Sequence, residues 1–269
     1  MSRKDVDPLW HRFTSVTRAR IGLGRTGDAL PTRHLLDFQY AHAAARDAVA
    51  APVDFDALAT RLEPIPTLQV RSAAGDRSTF LRRPDLGRVL APESAAQLPQ
   101  GPYDAVFVIA DGLSANAVQT HAAPVLEALN ARLSGWACGP VVLAGQARVA
   151  LGDDIGARMG ATMIVVLIGE RPGLSVPNSL GAYLTYAPQI GRHDAERNCI
   201  SNIHAHGLSY HAAAEKLEWL MSRARMMRLT GVALKEDAGG VATLGVHPPG
   251  VATQKLLDSE PAKLRCSDQ

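Results

Sequence analysis

From Asp104 to Ala110 the chain reads Asp-Ala-Val-Phe-Val-Ile-Ala, and from Thr162 to Ile168 it reads Thr-Met-Ile-Val-Val-Leu-Ile. Both runs are apolar with little alternation, as expected of strands buried on both faces. Pro140 to Ala144 supplies a shorter run of the same kind, and Ala182 to Tyr186 is a candidate fourth strand. Helix-period stretches lie between and after them. Ser114 is suited to cap a helix whose stripe is Val118, Ala122, Val125, Leu129 and Leu133, with a kink expected at Pro124. Asp153 or Asp154 is expected to cap a short helix. Ser209 opens a last helix striped by Ala213, Leu217, Leu220, Ala224 and Met227, with Gly231 just beyond its end and a short strand expected from Val232 to Leu234. This alternation predicts an α/β fold: a Rossmann-like, doubly wound, mostly parallel sheet with helices on both faces.

Toward the N-terminus the pattern changes. Thr32 can cap a helix striped by Leu35, Phe38, His42, Ala45 and Val49, and a second short helix is expected from Asp54 to Leu62. Leu68 to Arg71 and Thr79 to Arg82 flank Ala-Ala-Gly-Asp, which reads as a small hairpin. Four prolines between Leu81 and Tyr103 (Pro84, Pro92, Pro99, Pro102) mark a linker or extended crossover. The expected organisation is a helical N-terminal segment and linker over 1–98, a Rossmann-like domain over 99–237 and a tail over 238–269 that lacks a clear period.

Composition bounds the function. The chain has 269 residues, with 28 Lys and Arg against 26 Asp and Glu, a formal charge of +2. That balance argues against nucleic acid or an anionic membrane as the main partner. Even a wholly apolar run such as Met163 to Ile168 is far short of the ~20 residues of a membrane helix. The opening MSRKDVDPLW has charges and a proline where a signal peptide is apolar. Cys138, Cys199 and Cys266 form no CxxC pair, which suits a reducing cytosol. A soluble, intracellular protein is the expectation.

In an open parallel sheet, ligands sit outside the carboxyl ends of the strands. The loops that matter are therefore ADGLSA (110–115), AGQARV (144–149) and GERPG (169–173). Asp111 and Glu170 each follow a buried strand directly; alone, either is readily a capping or turn residue, but two acids and a glycine-rich loop at one rim favour a ligand pocket. Gly22, Gly24 and Gly27 spell GxGxxG, yet no strong strand precedes them and Pro31 interrupts the helix that should follow. A flexible basic loop with Arg18, Arg20 and Arg25, suited to a protein partner, is the better reading. His204 lies in NIHAHG, where Asn202 occupies the position of the acid that would polarise a metal-bound imidazole, so loop hydrogen bonding is favoured over ligation. Cys199, without an identifiable base, reads as a small packing residue rather than a nucleophile.

Several blocks carry a resemblance: RIGLGRTGDALPTRHLLDFQYAHAAARDAV, RRPDLGR, ADGLSA, VVLIGERPGLSVPNSLGAYLTYAP and ERNCISNI. Running in this order from about Arg20 to Leu234, they resemble the small (light) subunit of ethanolamine ammonia-lyase, GERPGL and RNCISNI most specifically. The resemblance implies an adenosylcobalamin-dependent lyase that converts ethanolamine to acetaldehyde and ammonia by a radical route. It places the substrate site in a barrel-shaped large subunit and the cobalamin at the interface, its nucleotide side against the small subunit. It implies cobalamin contacts at Val149, Glu170 and Cys199, and neither a catalytic residue nor a metal ligand in this chain. Many members of the family sit in a bacterial microcompartment, within an otherwise cytoplasmic setting. Two rival readings stand beside it. One is a stand-alone doubly wound hydrolase or phosphotransferase using Asp111 or Ser114; the other is a non-catalytic scaffold or shell-targeting protein using its N-terminal segment.

Overall fold

The computed structural model describes residues 8–235. The tail, with Cys266, lies outside the described residues, as does the start of the chain. In chain order the helices and strands are α1 (Pro8–Thr14), α2 (Thr32–Ala50), α3 (Phe55–Arg61), β1 (Thr67–Arg71), α4 (Arg77–Arg82), α5 (Pro92–Ala95), β2 (Tyr103–Ala110), α6 (Ala115–Asn130), β3 (Val141–Gly145), α7 (Leu151–Met159), β4 (Ala161–Gly169), β5 (Leu180–Tyr186), β6 (Asn198–Ile203) and α8 (Tyr210–Met227). The six strands form one sheet in the order β1-β3-β2-β4-β5-β6. The first four run parallel, and β5 and β6 continue the sheet antiparallel. Helical crossovers α6 and α7 permit the parallel pairs, whereas a loop joins β4 to β5.

The two-sided burial of the central strands is visible residue by residue. Ala105, Phe107 and Ile109 of β2 face one apolar cluster, shared with α6 and α8; Val106, Val108 and Ala110 face another, shared with α7. On β4, Met163, Val165 and Leu167 join the first cluster and Ile164, Val166 and Ile168 the second. Continuous apolar runs are thus what a sheet covered on both sides requires. Ser114 caps α6 as expected, its Oγ accepting from Ala117 N–H at 3.4 Å, and Ser209 caps α8 in the same way.

Four local expectations are corrected. The hairpin does not form: Leu68 to Arg71 lies in β1, paired in parallel with β3, and Thr79 to Arg82 lies in α4. Asp76 decides this, because its carboxylate accepts from Thr79 N–H at 2.8 Å and caps a helix where a strand was expected. Thr32 is the first helical residue of α2 and Pro31 its cap. Neither Asp153 nor Asp154 caps α7; both sit inside its first turn, buried and paired. Residues 232–234 make a turn rather than a strand, held by Asn198, whose side-chain amide donates to Leu234 O at 2.8 Å and accepts from Gly231 N–H at 2.8 Å. The helix α8 ends on Arg228 in the left-handed conformation, before Gly231.

The paired acids show what holds the antiparallel extension. Arg197, immediately before β6, donates both terminal nitrogens to Asp153 of α7 at 2.6 Å each, and further bonds reach Thr185 Oγ1 on β5 and Arg192 O. Both side chains are about 2% exposed or less. Removing one partner of a buried ion pair strands the other's charge. Arg197→Leu should therefore lower stability by about 3–5 kcal/mol in urea unfolding, while the double change Asp153→Leu with Arg197→Met should recover most of that loss.

Candidate functional site

Side chains alternate along β5 and β6, and this sorts them by face. Leu180, Ala182 and Leu184 enter the first cluster, as do Ile200 and Ile203. Tyr183 therefore points to the other face, and with it Cys199, its register partner across the β5–β6 ladder. Tyr183 packs partly buried against the second cluster, which Val149 also contacts. The covering helix α7 lies over β4 and β2. The outer strands on this side carry a half-buried Tyr183 and an exposed Cys199.

Glu170 follows β4 directly, at the rim of this face. Its carboxylate Oε2 accepts from Ser179 Oγ at 2.5 Å and from Asn202 N–H at 3.4 Å, and its own N–H donates to Ser179 O. Among the described residues, Oε1 has no protein donor. Gly181 leaves it room: a Cβ there would meet Oε1 at 3.0 Å and the Tyr183 ring at 3.2 Å. The result is a fixed carboxylate with one oxygen open to an N–H donor.

Tyr183 joins the two site residues electrostatically. Its phenol is pushed well up by burial, by its hydrogen-bonding contact with Cys199 and by the Glu170 charge. Burial also pushes the Cys199 thiol up, with Glu170 adding to the effect and Tyr183 opposing it. A raised thiol is a poor nucleophile at neutral pH, in keeping with a packing role.

Val149 lies in the turn before α7, on the same side of the sheet. It lines a cleft of about 230 Å³ with Arg88, Arg148, Ala150, Arg192, His193 and Asp194. Glu170 and Cys199 thus converge on Tyr183, and Val149 packs on the same side of the sheet but lines a separate cleft. Sequence reading missed Ser179, Gly181 and Tyr183. Only the alternation of Leu180 to Tyr186, once β5 is paired, reveals that Tyr183 faces the site.

Asp111 and Ser114 are engaged elsewhere. The Asp111 carboxylate accepts from Gln146 N–H and Ala147 N–H, both at 2.9 Å, and lies 3.5 Å from the Arg77 guanidinium. Burial pushes its pKa up, and those N–H groups and Arg77 oppose the shift. Gly112 beside it has φ +55, and a Cβ there would strike Gly169 O at 2.3 Å, so the turn closes tightly on β4. Ser114 is fully buried, its Oγ donating to Pro177 O at 3.0 Å. This is the chemistry of loop fastening rather than of a base and a nucleophile. His204 is engaged by its own loop, Nε2 against Asn202 Oδ1 at 2.8 Å and Nδ1 accepting from His206 N–H at 3.2 Å.

The chain is thus an α/β protein whose sheet carries a half-buried Tyr183, an exposed Cys199 and a fixed rim carboxylate on one face. The comparisons with known proteins identify its kind. The family model for the ethanolamine ammonia-lyase light chain (EutC) matches residues 7–235. A Pseudomonas fluorescens (strain Pf0-1) ethanolamine ammonia-lyase small subunit is 49% identical, covering 97% of this chain and all of that protein. The corresponding small subunits of Azotobacter vinelandii and Pseudomonas aeruginosa (strain UCBPP-PA14) are 52% and 51% identical, covering 85% and 89% of this chain and 88% and 91% of their own lengths. The chain belongs to the ethanolamine ammonia-lyase light-chain family, and is thus a component of a lyase. No helix among the described residues is long and apolar enough to cross a membrane.

Asp111 provides a test of the fastening role. Asp111→Ala removes the acceptor for two backbone N–H groups and should lower stability by about 1.5–3 kcal/mol in thermal unfolding. An assembled enzyme that retains this variant should keep its turnover, whereas a catalytic Asp111 requires turnover to collapse.

Proposed function

We propose that this chain holds adenosylcobalamin against the large subunit of ethanolamine ammonia-lyase, within a hetero-oligomer that converts ethanolamine to acetaldehyde and ammonia. When bound, the cofactor would supply radical chemistry at the interface, and Val149, Glu170 and Cys199 would hold it there. The observation that carries the reading is the open Oε1 of Glu170, fixed through Ser179 and Asn202 and kept clear by Gly181, on the face that Tyr183 and Cys199 share.

Each residue then has a physical task. A corrin bears neutral carboxamides, so Glu170 accepts an amide N–H without needing a full counter-charge. Cys199 and Val149 offer small apolar surface to a broad ligand, and Tyr183 adds a larger plane beside Cys199. Ser179 positions Glu170 without touching the ligand. The chain contributes binding and orientation, while the substrate's chemistry is left to the large subunit and the cofactor. The same reading takes the sheet as a Rossmann-like, doubly wound variant with an antiparallel extension, serving a cytoplasmic enzyme that some hosts enclose in a microcompartment.

Reconstitution tests it. The chain purified alone should show no deamination of ethanolamine, and activity should require both the large subunit and adenosylcobalamin. Activity of the chain by itself would overturn the proposal. Within the assembled enzyme, Glu170→Ala should weaken cobalamin binding by about 1.5–3 kcal/mol in a spectrophotometric titration, with subunit assembly unchanged. Cys199→Ser should keep most turnover, because no thiolate chemistry is asked of it.

A further inference from the structure

The cleft beside Val149 gathers more positive charge than its own carboxylates answer. Arg88, Arg148 and Arg192 line it with His193, and Asp194 is its one acid. That acid already faces Arg197 at 3.4 Å. Arg192 is shared with Glu196 and donates to Ala187 O. Arg148 has no carboxylate partner among the described residues. Its guanidinium lies 4.2 Å over the Phe80 ring and donates one bond to Phe80 O at 3.3 Å, while its Nε is buried without an acceptor. Arg88 is exposed, and its side chain has neither an ion pair nor a hydrogen bond among the described residues. Burial and the like charges of Arg77, Arg88 and Arg171 depress the Arg148 pKa, so the crowding is felt at the group itself.

Holding guanidinium groups together without an anion is unfavourable in the free chain, and a bound anion would relieve it. Several guanidinium groups around one cleft suit a tetrahedral anion with multiple acceptor oxygens better than a planar carboxylate, which one fork satisfies. The site is also concave and roomy enough for such a group. We infer that the cleft formed by Arg88, Arg148 and Arg192 is a binding site for a phosphate-ester anion, placed next to Val149. Two sources share this chemistry. One is the phosphodiester in the nucleotide tail of cobalamin, which rests on the function proposed above; the other is free phosphate or a small phosphorylated metabolite.

The test uses the co-purified complex with the large subunit. Arg88→Gln is the informative variant, because Arg88 holds nothing else in place; Arg88→Lys serves as the conservative control, and circular dichroism checks the fold. Three probes are titrated: cobalamin, cobinamide (which lacks the nucleotide tail and its phosphate) and inorganic phosphate. If the cofactor is the source, Arg88→Gln lowers cobalamin affinity about tenfold, leaves cobinamide affinity unchanged, and Arg88→Lys loses less. If a free phosphate is the source, Arg88→Gln weakens phosphate binding by a similar factor and leaves cobalamin affinity intact. Unchanged affinity for both cobalamin and phosphate, in a folded Arg88→Gln complex and again in Arg148→Gln, overturns the inference. A wild-type complex that binds neither corrinoid would overturn the function proposed above instead, and the phosphate titration would then decide the cleft alone.

Discussion

The bidentate pair between Arg197 and Asp153 is the constraint on which the side of the sheet bearing Val149 and Cys199 depends. It joins the first turn of α7, two helical residues past Leu151, to the residue that leads into β6. Val149 precedes one end of this link and Cys199 follows the other. Thr185 Oγ1 and Arg192 O take up further donors of the guanidinium, so the charge is buried with its hydrogen bonds answered. A pair of this kind contributes little net stability over an apolar substitute, because desolvation offsets much of the attraction. What it contributes here is register. Apolar side chains would slide; a planar fork on a carboxylate fixes where β6 sits relative to α7.

That fixed edge explains why the site lies where it does. The parallel strands β2 and β4 need cover on both faces, and α7 provides it on one side. Adding β5 and β6 antiparallel extends the sheet sideways without bringing a further crossover helix, since antiparallel neighbours need only a loop. The sheet therefore outgrows its cover. Tyr183 and Cys199 occupy the overhang, and Glu170 leaves β4 at its border. An uncovered strip of this composition, apolar in body with one rim carboxylate, suits a large flat ligand or a partner surface better than a small substrate enclosed in a cavity.

The legibility of the sequence follows the same division. The buried strands β2, β3 and β4 were readable because two-sided burial leaves almost no polar residue in them, and Ser114 and Ser209 announced their helices by capping chemistry. The strand β6 was not readable: Asn-Cys-Ile-Ser-Asn-Ile buries only Ile200 and Ile203, as an edge strand facing a solvent strip can afford. The strand β1 was visible, but its partner was misjudged, because parallel pairing with β3 rests on residues some seventy positions away. Asp76 tipped the next segment to helix through a single capping bond. As for the site, Val149, Glu170 and Cys199 came from the family resemblance and not from periodicity. Spacing alone favoured Asp111 equally, and only the fold reveals that both its oxygens are spent on the β3 loop while one oxygen of Glu170 has no donor among the described residues.

Charge completes the picture. A net charge of +2 over 269 residues gives no long-range field to steer a ligand, and at physiological ionic strength exposed charges are screened within about 8 Å. Yet Arg77, Arg88 and Arg171 each act on the Arg148 guanidinium at short range. The global balance is kept by acids placed elsewhere or locked into pairs, such as Asp153 with Arg197 and Asp154 with Arg158. Electrostatics on this face therefore act through contact rather than from a distance. The arginine cleft and the Glu170 carboxylate lie on the same side of the sheet with opposite preferences, one for acceptors and one for donors. Under the function proposed above, a ligand that is mostly neutral amide with a single anionic group would satisfy both at once, whereas a simple anion is disfavoured at Glu170 and a simple cation at the cleft.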